Sequence, residues 1–104
     1  MIAIQTANLT KKYGDIIAIN GVDLEVEAGE IVGCLGPERS GKTTLLRLLT
    51  GLVRPTLGDS TVLGLSSVKE SRKLRAKSGI VTDTAACIGS MSALENLLMF
   101  ASMY

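Results

Sequence analysis

Gly36-Pro37-Glu38-Arg39-Ser40-Gly41-Lys42-Thr43-Thr44 governs how the rest of the chain is read, because it fits the pattern G-x-x-x-x-G-K-S/T and stands between an apolar run and a leucine-rich run. A triphosphate carries several negative charges that must be met by fixed donors. Consecutive backbone N–H groups curled at the start of a helix supply them. Gly36 allows a sharp exit from a strand, and Gly41 lets the backbone approach phosphate oxygens. Lys42 brings a point charge to the β- and γ-phosphates, the Thr43 hydroxyl is a ligand for Mg²⁺, and Thr44 adds a further hydroxyl or N–H. Pro37, Glu38, Arg39 and Ser40 form the loop interior and complete the candidate phosphate site. Within it, Arg39 costs about 1–2 kcal/mol if its position needs a positive φ. Glu38 repels phosphate unless it turns to solvent or pairs with Arg39.

Directly before the loop, Ile31-Val32-Gly33-Cys34-Leu35 is apolar at every side chain, which predicts a strand buried on both faces of a parallel sheet. Directly after it, Leu45, Leu48 and Leu49 fall at i, i+3, i+4, which predicts a helix from Lys42 to Thr50 with Gly51 as its left-handed C′ residue. Upstream, Ile2 to Leu9 and Val22 to Glu27 alternate as half-exposed antiparallel strands do. Ile16 to Ile19 reads as a shorter piece between two turn signals, Gly14-Asp15 and Asn20-Gly21, so that the opening segment forms a small meander. Ala28-Gly29-Glu30 is another turn.

Downstream, Leu52 to Gly58 reads as a loop, Ser60 to Leu63 as a weak strand, and the basic stretch Lys69 to Lys77 around Leu74 as a short exposed helix. Gly79 to Thr82 is a candidate strand and Asp83 to Gly89 a loop. Ser92-Ala93-Leu94-Glu95 is an S-x-x-E capping box, after which Leu94, Leu97, Leu98 and Ala101 share one helical face, with Phe100 and Tyr104 adding bulk. The helical pattern is still running at Tyr104 with no stop signal, as a truncated domain would read.

A length of 104 residues allows one domain at most. The chain is 46% hydrophobic with a mean hydropathy of +0.34. No run approaches the roughly 18 to 20 apolar residues of a membrane span. Eleven Lys and Arg against ten Asp and Glu leave a net charge of +1, which does not favour nucleic acid as a partner. The start lacks the features of a secretory signal, so a cytoplasmic location is expected. Cys34 and Cys87 have no metal-ligand spacing and read as small buried hydrophobes. The absence of histidine excludes His-based acid/base chemistry within this stretch.

Taken with Tyr13 in Leu9-Thr10-Lys11-Lys12-Tyr13-Gly14, the strand pair after it and Leu49 to Thr56, the loop gives a sequence that resembles the nucleotide-binding domain of ABC transporters. The likeness runs from Ile4 to Tyr104 and is strongest to the ATP-binding subunits of multidrug-type exporters. The resemblance implies an α/β fold: a partial P-loop NTPase core with an antiparallel β subdomain, ending in the first helix of a helical subdomain. Residues 1–104 would then be the N-terminal part of a single nucleotide-binding domain. It also implies ATP and Mg²⁺ as cofactors, with Tyr13 stacking on adenine. Asp83 stands where the family has a glutamine near the metal, which makes it a second metal candidate beside Thr43. Implied partners are a transmembrane permease subunit and a second nucleotide-binding domain, at the inner face of a membrane, with hydrolysis driving export.

Asp83 in place of glutamine is one departure from the family pattern, and the loop interior is the second. Glu38 and Arg39 replace Asn and Gly, and neither the LSGGQ signature, the Walker B Asp and Glu, nor the switch His occurs in these residues, so no catalytic residue is assigned. Two other readings remain open: an inert fragment or interaction module without turnover, and a different small P-loop kinase, to which Tyr13 and the antiparallel opening are ill suited. An unpaired edge on Ile31 to Leu35 predicts self-association through exposed apolar surface.

Overall fold

Alternation over the opening residues produces one long hairpin instead of a meander. In the computed structural model, which describes residues 1–81 and 89–103, β1 (Ile2–Tyr13) and β2 (Ile16–Glu27) pair antiparallel along their whole length. Only Gly14-Asp15 turns the chain, with Tyr13 opposite Ile16 and Gly14 at φ 59°. Asn20-Gly21, the expected second turn, lies inside β2. Gly21 sits at φ 65°, donates its N–H to the Thr10 hydroxyl at 3.0 Å, and faces the register shifts on either side of Leu9. A glycine with left-handed φ serves a bulge as well as it serves a turn, and the partner strand selects between them.

β3 (Leu57–Val62) and β4 (Leu65–Ser66) extend the sheet in the order β2-β1-β3-β4, antiparallel throughout. β3 begins earlier than its sequence implied because Gly58, at φ 83°, lets its backbone pass against β1: an added Cβ would lie 2.2 Å from the Asn8 carbonyl oxygen. α1 (Lys42–Leu49) packs on β2 and β3 through the leucine face expected of it. Leu9, Ile19 and Leu48 form the buried centre, with Val22, Leu45 and Val53 against it. Gly51 closes the helix at φ 80°, and its bare Cα admits Ser71 of the next helix, whose Cβ would be 2.7 Å from an added methyl group.

α2 (Ser71–Ala76) buries Leu74 completely and leaves Arg72 and Lys73 exposed, as its charge pattern predicts. α3 (Ala93–Met103) is opened by the capping box: the Glu95 N–H donates to the Ser92 hydroxyl at 3.1 Å, and the Ser92 N–H to the Glu95 carboxylate at 3.1 Å. The apolar stripe of α3 is left in solvent, with Leu94, Leu97 and Leu98 all exposed.

One expected element does not form. Ile31 to Leu35 adopts no strand, and Ile31 and Leu35 are 102% and 97% exposed. A strand buried in a parallel sheet takes hydrogen bonds and cover from neighbours on both sides. Among the described residues the sheet ends at β2 and β4 and offers this segment neither. Cys34 is accordingly exposed, not buried. Gly79 to Val81 likewise forms no strand, while Thr82, Asp83, Cys87 and Tyr104 lie outside the described residues.

Replacing Leu48 by Ala removes the centre of the cluster and is expected to cost about 2–5 kcal/mol in urea unfolding, against less than about 0.5 for exposed Leu98→Ala. Equal midpoint shifts would contradict this placement of the core. The Ser92 backbone N–H, and after it the Ser92 hydroxyl, each favour the ionised Glu95 carboxylate, which titrates below the usual glutamate range. With the folded value depressed, the cap's contribution is present above the unfolded pKa and is lost as pH falls through the folded one. Carboxyl-carbon NMR should record a lowered Glu95 midpoint that rises in Ser92→Ala; an unmoved midpoint would contradict the cap.

Candidate functional site

β2 and α1 meet at the loop, and the meeting is close. Gly41 takes φ 97° as the residue before α1, and an added Cβ there would stand 2.4 Å from the Ala18 carbonyl oxygen of β2. Two separate demands, a left-handed φ and a bare Cα, thus fall on one glycine. Gly36 is not left-handed; an added Cβ there would meet the Ser40 hydroxyl at 2.7 Å, so that side chain would have to turn aside. The Ser40 N–H bonds to the Pro37 carbonyl at 3.3 Å and draws the loop into a tight turn.

α1 starts without a side-chain cap and without an acidic residue in its first turn. Its leading N–H groups therefore have no side chain to bond, and they carry the positive end of the helix dipole. The Lys42 ammonium folds back onto the carbonyls of Gly36 and, at 3.2 Å, Pro37. A cation so held is presented at the loop mouth by the loop itself. Thr43 is exposed and Thr44 half-buried in the same helical turn.

Arg39 takes φ 63°, the left-handed conformation that costs a side-chain-bearing residue about 1–2 kcal/mol. It does not pair with Glu38; the ion pairs among the described residues are Met1 with Glu27 and Lys73 with Glu70. Glu38, Arg39 and Lys42 all line one cavity of about 590 Å³. One carboxylate against two cations leaves a net positive lining, the same net charge that Lys42 alone would give.

The same cavity is lined by the turn end of the hairpin: Tyr13, Ile16, Ile17 and Ala18. Tyr13 is 43% exposed, so its ring is available to a flat partner. The arrangement joins a net positive loop and an apolar strand end in one space within the range of small-molecule sites. Ile16 and Ile17 were missed as site residues in the sequence. The two-residue turn at Gly14-Asp15 was the available signal, since it sets Ile16 opposite Tyr13. Asp83, the second metal candidate, lies outside the described residues. Among the described residues no group of three or more His, Cys, Asp or Glu side chains is placed to hold a metal.

Residues 19–103 match the family model described as ABC transporter. The chain is 37% identical over 101 residues to a probable multidrug ABC transporter ATP-binding protein of Escherichia coli (strain K12), covering 97% of this chain and 18% of that protein. Over 103 residues it is 38% identical to the Nod factor export ATP-binding protein I of Rhizobium meliloti (strain 1021), covering 99% of this chain and 31% of the relative. Among solved structures it is similar to a dimeric post-hydrolysis state of an ATP-binding cassette bound to ADP and Pi, with a TM-score of 0.80 and 32% identity over 94% of this chain and 47% of that one. The chain spans 18% and 31% of the length of these two curated relatives.

Substituting Arg39 by Gly removes the left-handed penalty and is expected to raise stability by about 0.5–1 kcal/mol in thermal unfolding, the glycine's own backbone entropy offsetting the remainder. A lowered melting temperature would show that the Arg39 side chain contributes more than its backbone costs.

Proposed function

This chain belongs to the ABC transporter family, and we propose that its residues 36–44 hold the polyphosphate of ATP while Tyr13 stacks on the adenine. The observation that carries the reading is the curled loop at the uncapped start of α1, which shares one cavity with Tyr13. The phosphates take the first-turn N–H groups of α1, and the Lys42 ammonium turns from the loop carbonyls toward the β- and γ-phosphates. Pro37 and Ser40 keep the loop curled, Gly36 and Gly41 keep it open, and Glu38 faces solvent when phosphate is bound. Arg39 supplies a second cation at the mouth.

The exposed Thr43 hydroxyl at the helix start fits Mg²⁺, which is held through one or two protein ligands together with substrate phosphates. Mg²⁺ supplies charge neutralisation of the phosphates, and Asp83 is the candidate for a second protein ligand. Turnover needs groups these residues do not contain, since the signature, the Walker B carboxylates and the switch histidine do not occur within them. In the whole protein, ATP binding and hydrolysis at the inner membrane face are coupled to export through a transmembrane permease subunit, with a second nucleotide-binding domain completing the site. Residues 1–104 are the N-terminal part of one such domain. Among the described residues no helix is long and apolar enough to cross a membrane. A second reading, a nucleotide-silent interaction module, draws on the exposed apolar segment 31–35.

Titration with a fluorescent ATP analogue, with and without Mg²⁺, separates the two. Lys42→Ala is expected to weaken binding by about 10- to 100-fold, the size of a lost charged hydrogen bond. Equal affinity in both variants, or no saturable binding in either, would overturn the nucleotide site and leave the interaction reading.

A further inference from the structure

Lys11 is the residue that the site's geometry adds without any motif to mark it. Two residues before Tyr13 on β1, it is half-buried, whereas Lys12 between them is exposed. Its ammonium stands over the Tyr13 ring, 5.1 Å from the centroid. The same nitrogen donates a hydrogen bond of 2.8 Å to the Arg54 carbonyl, in the loop that follows α1. Both contacts are long-range in consequence: they tie the aromatic end of the hairpin to the segment that leaves the phosphate-loop helix. Neighbouring bonds brace the same junction, from the Lys12 N–H to the Thr56 hydroxyl at 2.9 Å and from the Thr56 N–H to the Thr10 carbonyl at 2.8 Å.

Tyr13 lines the cavity and Lys11 does not, so the ammonium is no part of the cavity lining. A cation held over one face of a phenol ring acts in two ways. It fixes the ring's rotamer, which an exposed tyrosine otherwise loses entropy to adopt on binding. It also draws electron density toward itself, which makes the opposite face a better partner for an electron-rich purine.

Resting on the nucleotide reading above, we propose that Lys11 is a positioning residue for base recognition: its ammonium, anchored on the Arg54 carbonyl, holds and polarises the Tyr13 ring for stacking on a purine. It makes no contact with phosphate and contributes to affinity only when the ligand carries a base.

Isothermal titration of the 104-residue chain with Mg-ATP and, separately, with Mg-tripolyphosphate tests this. Lys11→Met keeps the apolar stem and removes the cation. It is expected to weaken ATP about two- to fivefold, the size of an exposed cation–π contact, and to leave tripolyphosphate unchanged. Lys11→Arg should restore ATP binding, and Lys11→Met should have no effect in a Tyr13→Ala background, where no ring remains to hold. Undiminished ATP affinity in Lys11→Met would overturn the proposal, as would a parallel loss of both ligands, which marks a merely structural role. Wild-type chain that binds tripolyphosphate but gains nothing from the base overturns it while sparing the phosphate loop. Failure of the wild type to bind either ligand overturns the nucleotide reading, and the proposal with it.

Discussion

Gly41 against the Ala18 carbonyl is the contact on which the geometry of the site depends, because it sets the start of α1 against the turn end of β2 with no side chain between them. Every other feature of the loop follows from that distance. The helix can begin there only if its first residue is preceded by a left-handed backbone, so the leading N–H groups emerge beside the hairpin and face its turn. The leucine face of α1 then falls onto Leu9 and Ile19, and burial of that cluster holds the contact closed. A local steric requirement and the hydrophobic core thus support each other across the sheet.

Arg39 and Glu38 show what the loop tolerates. A left-handed arginine is a stored cost, sustained because the residues on both sides are fixed, Ser40 by its bond to Pro37 and Gly41 by β2. The pair adds a carboxylate and a guanidinium to the lining together, so the field at the mouth keeps its sign. The loop differs from its family pattern in side chains while its backbone stays curled through the Pro37–Ser40 bond.

Legibility in the sequence follows the range of the interactions concerned. The helix start after Gly41, the leucine face, Gly51 and the Ser92–Glu95 cap are readable because each is settled within one or two helical turns. Gly21 is not: its left-handed φ suits a turn or a bulge, and the choice belongs to the partner strand β1, met at Thr10 eleven residues away. Ile31 to Leu35 was misread for a related reason. Apolar side chains report what a segment would bury if neighbours were supplied, and the described residues supply none. Tyr13 was assigned by resemblance, whereas the wall it shares with Ile16 and Ile17 required the register of the hairpin. Lys11 carried no signal at all, since a lysine in a strand reads as solvated until its ring and carbonyl partners are seen.

Backbone amide shifts in a ¹⁵N-labelled chain titrated with Mg-ATP test the central claim most directly. The account predicts saturable shifts at Gly41, Lys42, Thr43 and Thr44, the amides at the mouth, accompanied by Tyr13 of the same cavity. Amides of Gly41 to Thr44 that stay unmoved while the basic residues of α2 shift would show an anion attracted to surface charge alone, and would contradict it.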